Sequence, residues 1–268
     1  MLTSPRSERA RARQPQSLKQ EYEEFILQRI EEFKNGLSRP ELLGIADEAV
    51  RELEAEDQFL LTELLMLEQV DRLIMRRLKL PPYRKWRERH LKLRRAQKEP
   101  THWGLDPDVP LADLAGRLGE EDVALFLGSG AAAAALYVAS LEGEVLLIDD
   151  DLAAVEAAEN LAAAEAVASR FQALVVSLGH WFPDATPALV VLDAVTMAGL
   201  EASTRGRLLE MLKDRTVSGG VHCILPAEPR GDVIPLAPEA LQSHYGGWTI
   251  ERPRRADNRS RWFLATKP

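Results

Sequence analysis

Ala124-Leu125-Phe126-Leu127-Gly128-Ser129-Gly130-Ala131, followed by an alanine-rich run through Leu136 and Ala139, is the stretch that decides the fold. An apolar, strand-like run ends in Gly-Ser-Gly, and a helical run begins at once. Glycines let the backbone turn tightly and leave no side chain between it and a ligand. The start of the helix adds N–H donors that favour an anion. Twenty-one residues after Gly128, the next strand-like run ends in Asp149-Asp150-Asp151. A carboxylate there can accept hydrogen bonds from both hydroxyls of a ribose. Strand, glycine loop, helix, strand and acid, in that order, predict a nucleoside-type ligand at Gly128, Ser129, Gly130, Asp149 and Asp150. The same features also fit a tight strand-to-helix connection in which Asp151 only caps the next helix.

Working outward, strand-like runs alternate with helical ones from Thr101 onward. The strands are predicted at Val123–Leu127, Glu144–Asp149, Ala173–Ser177, Ala188–Asp193 and Gly220–Leu225, with helical segments near 130–140, 152–168 and 200–213. This alternation predicts an α/β fold whose sheet is mostly parallel and covered by helices on both faces. Trp248–Pro253 and Arg261–Thr266 flank Asp257-Asn258 and predict an antiparallel C-terminal hairpin at the sheet edge, which brings the sheet to seven strands.

Residues 18–99 carry no strand signal and predict an all-α helical unit. Tyr22, Phe25, Ile26, Ile30 and Phe33 recur at helical spacing, with Gly36 as a stop. Ser38 is placed to cap a second helix that runs to Leu53. A third helix is predicted over about 56–78, and a fourth over Tyr83–Gln97, closed by Pro100. Residues 1–17 are polar, arginine-rich and without periodicity, and predict a mobile basic tail.

Composition narrows the function. The 268 residues are 46% hydrophobic and 28% charged, enough for about two domains. The lone Cys223 excludes an intramolecular disulfide and a cysteine-cluster zinc site. The five histidines and the acids show no metal-ligand spacing, so no metal is expected. No apolar run approaches about 18 residues, so no membrane span is expected. Arg6, Arg9, Arg11 and Arg13 are not followed by an apolar stretch, and a cytoplasmic protein is expected.

On these motifs residues from about 110 to 268, within a domain expected over 100–268, resemble the class I, Rossmann-like S-adenosylmethionine-dependent methyltransferases. The resemblance rests on Leu127-Gly-Ser-Gly130, on Ile148-Asp-Asp-Asp151 leading into a helix, on the Leu189–Asp193 strand, on Ser218-Gly219-Gly220 and on the closing hairpin. The tail Ala240–Trp248 with Trp262-Phe-Leu-Ala is faintly similar to the tellurite-resistance and thiopurine type. The resemblance implies a methyltransferase with S-adenosyl-L-methionine above the carboxyl ends of the first four strands. Gly128 and Gly130 would pack on its methionine part, Asp149 would bind the ribose, and Ser177 and Leu178 would flank the adenine. Asp193 would face the reacting methyl. The chain departs from the family where Phe126 replaces an acid two residues before the first glycine, and where Ser177 replaces an aspartate. A non-catalytic binding or scaffold protein on the same fold is therefore the alternative. An NAD-dependent oxidoreductase is disfavoured by the closing hairpin.

Methyl transfer from a sulfonium needs alignment more than covalent help. A base is required only for a protonated acceptor. Asp193, His180 and His102 are the candidates. Asp193 also fits a turn cap, His180 a surface-loop histidine and His102 a linker residue. The acceptor is not readable, and a homo-oligomer stays open.

Net charge is −8, which does not favour a generic nucleic-acid binder. The charge is polarised, though: Arg72–Lys98 carries +11, leaving −19 elsewhere. The basic helix over 83–98, with Tyr83 and Trp86, could track a phosphate backbone and stack a base. Alternatively it docks on acidic helices and neutralises itself, since residues 20–70 hold fourteen acids against four basic residues.

Overall fold

A computed structural model describes residues 17–55, 63–225, 227, 229, 231–251 and 262–268. The predicted basic tail (save Ser17), the start of the third helix and the Asp257-Asn258 turn lie outside these residues. The chain divides into two compact units, Met1–Lys92 and Leu93–Pro268.

The first unit is helical. It comprises α1 (Leu18–Asn35), α2 (Arg39–Ala55), α3 (Glu63–Leu78) and the start of α4 (Tyr83–Gln97), within which the division falls. Ser17 and Gln20 form a reciprocal capping box at the start of α1, each side chain bonded to the other's backbone N–H. Ile30, Ile45, Ala49, Val70, Leu73 and Ile74 pack into its core, on the face that the apolar periodicity defines.

In the second unit, a 3-10 turn (Pro100–Trp103) and α5 (Leu111–Ala115) precede an alternating run. In chain order this is β1 (Val123–Leu127), α6 (Ala132–Ser140), β2 (Glu144–Asp149), α7 (Leu152–Ala164), β3 (Phe171–Val175) and β4 (Pro187–Asp193). Then follow α8 (Ala194–Gly199), α9 (Ala202–Arg215), β5 (Val221–Leu225), α10 (Pro238–Leu241), β6 (Thr249–Glu251) and β7 (Phe263–Thr266). The seven strands form one sheet in the order β3-β2-β1-β4-β5-β7-β6. β1 to β5 run parallel, and β7 lies antiparallel to both β5 and β6. The α/β class, the seven strands and the closing antiparallel pair are as the sequence predicts. The second strand of the hairpin, not the first, joins the parallel sheet. β3 begins two residues earlier than expected, because Phe171 is buried and pairs with Val145 while Ser177 has left the strand.

Alternation along each strand splits the core between two faces. Phe126, Leu147, Val191, Cys223 and Leu264 face α5, α6 and α7. Leu125, Leu127, Ile148, Val190, Leu192 and Ile224 face α9 and α10. Burial on both faces makes the strands nearly continuous apolar runs, which is why they were legible. Among the described residues, no helix is long and apolar enough to cross a membrane.

Candidate functional site

The carboxyl ends of β1, β2 and β4 meet at the glycine loop. Gly128 has φ +90° and ψ 144°, a region essentially closed to other residues. The loop then passes through one 3-10 turn into α6. Each N–H from Gly128 to Ala132 has a partner within the chain. Gly128 donates to the Ile148 carbonyl at 2.9 Å, Ala131 to the Gly128 carbonyl at 2.9 Å, and Ala132 to the Ser129 carbonyl. Ser129 N–H donates to the Asp149 carboxylate, and Gly130 N–H donates to Asp193 Oδ2 at 3.2 Å.

Asp149 is 4% exposed. Its other oxygen accepts the Asp151 N–H at 2.8 Å. Asp151 in turn caps α7 through the Ala153 N–H, and Asp150 points to solvent. The ribose acid expected from sequence is therefore tied to the loop by its own hydrogen bonds. A carboxylate offers about four lone-pair positions, of which the backbone uses two here.

Asp193 is also 4% exposed and caps α8. It accepts from Val195 N–H at 3.1 Å, from Thr196 N–H at 3.4 Å and from the Thr196 hydroxyl at 2.8 Å. Its carboxylate and Thr196 fill the space over both glycines. A Cβ on Gly130 would lie 2.5 Å from Asp193 Cγ, and one on Gly128 would lie 2.8 Å from Asp193 Cβ. Asp193 thus combines the turn-capping role with direct contact to the loop. Thr196 was missed from sequence, although Asp193-Ala-Val-Thr196 after a strand has the spacing of an N-cap residue and its third helical position.

Ser177 and Leu178 lie just past the end of β3. Ser177 is exposed, whereas Leu178 is 4% exposed and packs in the core on the α9 side. His180 is exposed in the turn closed by its N–H to the Ser177 carbonyl at 3.1 Å. His102 is not brought to the loop. Its Nε2 lies 3.0 Å from Glu165, just after α7, and Gln97 bonds the same residue. That end of the sheet carries the amino ends of the strands, opposite the glycines. Trp103 Nε1 donates to the Gln97 carbonyl at 2.9 Å, so the segment is a packed linker.

A groove of about 380 Å³ lies elsewhere, between residues 107–117 and the β6–β7 edge, with Asp108, Asp113, Arg117, Glu251 and Trp262 on its walls. None of the loop residues lines it. A buried polar cluster, also unforeseen, ties β5 to the C-terminal segment. His222 Nε2 lies 2.8 Å from the Thr216 hydroxyl, and Nδ1 lies 3.0 Å from the Tyr245 hydroxyl. Burial pushes the His222 pKa down to about 3, helped by Lys267 and Lys213, so the ring is neutral. Among the described residues, no group of His, Cys, Asp and Glu could hold a metal ion.

No family model matches the chain, and no curated protein matches it in sequence. Solved structures do. A protein assigned as an O-methyltransferase from Nostoc punctiforme matches at 17% identity and TM-score 0.47, over 59% of this chain and 56% of its own. The glycopeptide N-methyltransferase MtfA, solved with S-adenosyl-L-methionine, matches at 15% identity and TM-score 0.46, over 59% and 92%. TehB from Haemophilus influenzae matches at 18% and 0.44, over 59% and 61%. The chain thus spans just over half the length of the first of these. Similarity at this level assigns no activity.

Proposed function

We propose that residues 93–268 form an S-adenosyl-L-methionine-dependent methyltransferase domain with an unidentified acceptor. One observation carries the reading. A glycine loop at the carboxyl end of β1 meets Asp149 at the end of β2, in a sheet whose β7 is inserted antiparallel between β5 and β6. Asp149 and Asp150 would take the ribose hydroxyls, Ser177 and Leu178 would flank the adenine, and Gly128, Ser129 and Gly130 would carry the methionine part.

The ribose side fits, since Asp149 keeps two acceptor positions. On the methionine side the Asp193 carboxylate takes the Gly130 N–H and the room above it, so the cofactor would have to displace a buried side chain that also accepts from Val195 and Thr196. When bound, the cofactor supplies a methyl group on a good leaving group. The residues of the chain orient the acceptor and keep water out. Asp193, once turned from the loop, can hold an acceptor proton, and His180 can carry one to solvent.

A second reading, a non-catalytic binding protein, is favoured by two observations. Phe126 sits fully buried where the family carries an acid, and Asp193 satisfies the loop from within. Calorimetric titration with S-adenosyl-L-methionine separates the two. The methyltransferase reading expects micromolar binding that is lost in Asp149→Ala. Absence of binding at millimolar cofactor, in protein shown to be folded, overturns it.

A further inference from the structure

We infer that the exposed face of α4 within the first unit, residues 84–92, is a docking surface for the phosphate backbone of duplex DNA. This stands independently of the methyltransferase reading. One stripe of this helix is spent on packing. Trp86 is 8% exposed. Its ring centroid lies 5.3 Å from Tyr22, 6.2 Å from Phe25 and 4.6 Å from His90, which stacks on it. His90 Nε2 lies 3.1 Å from Glu21 on α1. The rest of the circumference carries Arg84, Lys85, Arg87, Arg89 and Lys92, all exposed, with exposed Glu88 between them.

Among the described residues, the acids of α2 and α3 pair with cations other than these. Glu48 pairs with Arg77, Glu52 with Arg76 at 2.5 Å, and Asp71 with Lys34 at 3.0 Å. Among the described residues, Arg84 pairs with Glu88 of its own helix at 3.5 Å. No carboxylate of a described residue forms an ion pair with Lys85, Arg87, Arg89 or Lys92. Of the acids on α1, α2 and α3, Glu21 pairs with α4, through His90, and the window 84–92 has a net charge of +4.

The arrangement selects the partner. Helical periodicity sets Arg84 and Arg87 along one flank and Lys85, Arg89 and Lys92 along the other. Two rows of cations on a rod roughly 10–12 Å across match the two phosphate rows that border a groove about 12 Å wide. A membrane surface fits poorly, because an interfacial helix needs an exposed apolar face, and here that stripe is buried. Of the two rings a single strand could stack on, Trp86 is buried and Tyr83, 37% exposed, is itself stacked on Trp86 at 6.2 Å. Contact is to phosphates, so binding carries little sequence preference.

The test is fluorescence anisotropy of the full chain with a labelled DNA duplex, an RNA duplex and a single strand, across a salt series. Neutralising four to five phosphates gives a slope of log K on log salt of about −4. The double reversal Arg87→Glu/Arg89→Glu lowers affinity more than tenfold and reduces the slope by about 2. Should the reversal disturb folding by circular dichroism, Arg87→Gln/Arg89→Gln reads the same slope change. An RNA duplex, whose major groove is deep and narrow, should bind more weakly than the DNA duplex. The proposal fails if the DNA duplex does not bind at low salt, or if the folded variants bind as the parent does. It also fails if the RNA duplex, polyglutamate, phosphatidylserine vesicles or the single strand binds as tightly as the DNA duplex.

Discussion

Replacing Gly130 by alanine tests the coupling between the glycine loop and Asp193. The new Cβ would stand 2.5 Å from Asp193 Cγ and 2.6 Å from Oδ1. The carboxylate cannot simply swing aside, since it is 4% exposed and accepts from Gly130, Val195 and both donors of Thr196. Displacing it forfeits at least the bond from Gly130 N–H and the one from the Thr196 hydroxyl. Each hydrogen bond to a charged group contributes about 1.5–3 kcal/mol. Against this, alanine in place of glycine at a conformation it can adopt gains about 0.4–1 kcal/mol. The single variant should therefore lose about 2–5 kcal/mol in urea unfolding followed by circular dichroism. In an Asp193→Ala background the obstacle is gone, and Gly130→Ala should be neutral or slightly stabilising. The cycle predicts a coupling of about 3–6 kcal/mol, at or above the upper end for residues in direct contact. Equal costs in the two backgrounds would refute the reasoning.

Other consequences are as direct. Gly128→Ala forces an unfavourable φ of +90°, at about 1–3 kcal/mol, and adds a clash with the Thr196 hydroxyl; a melting temperature within a degree of the parent would contradict this. Trp86→Ala empties the aromatic cluster around Tyr22 and Phe25 and should cost about 3–5 kcal/mol, read as early melting of the helical signal. His222 is held neutral with its pKa near 3 against 6.5 when exposed. The unfolded chain therefore binds the extra proton, and stability present above pH 6.5 is lost progressively as pH falls toward 3. At about 1.4 kcal/mol per unit the loss is on the order of 5 kcal/mol, and His222→Gln should flatten that part of the stability–pH curve.

The parts of the fold fixed by local pattern were legible. Apolar runs bounded by Gly128 and by Asp149 gave β1 and β2 to the residue. β3 was misplaced by two residues because Val175 and Val176 extend the β-branched pattern, yet Val175, the last residue of the strand, is 49% exposed. At the site, the glycines and the acid of β2 were visible as a motif. The closing of the loop by Asp193 was not, because it depends on β1 and β4 being neighbours and on the direction in which α8 leaves the sheet. His222 was passed over for a similar reason. A lone histidine in an apolar run has no meaning until Thr216 and Tyr245 arrive from elsewhere in the chain. For the basic window, composition allowed either self-neutralisation or a free surface, and which of its cations pair with acids, as Arg76 and Arg77 do with Glu52 and Glu48, depends on tertiary contacts.

The most direct test of the central claim follows the backbone amide resonances of Ser129 and Gly130 by nuclear magnetic resonance during titration with S-adenosyl-L-homocysteine. The proposed site predicts saturable shifts at both amides, together with one at Thr196 as Asp193 leaves the loop. Unmoved resonances at millimolar ligand, in protein whose spectrum is otherwise that of a folded chain, would contradict it.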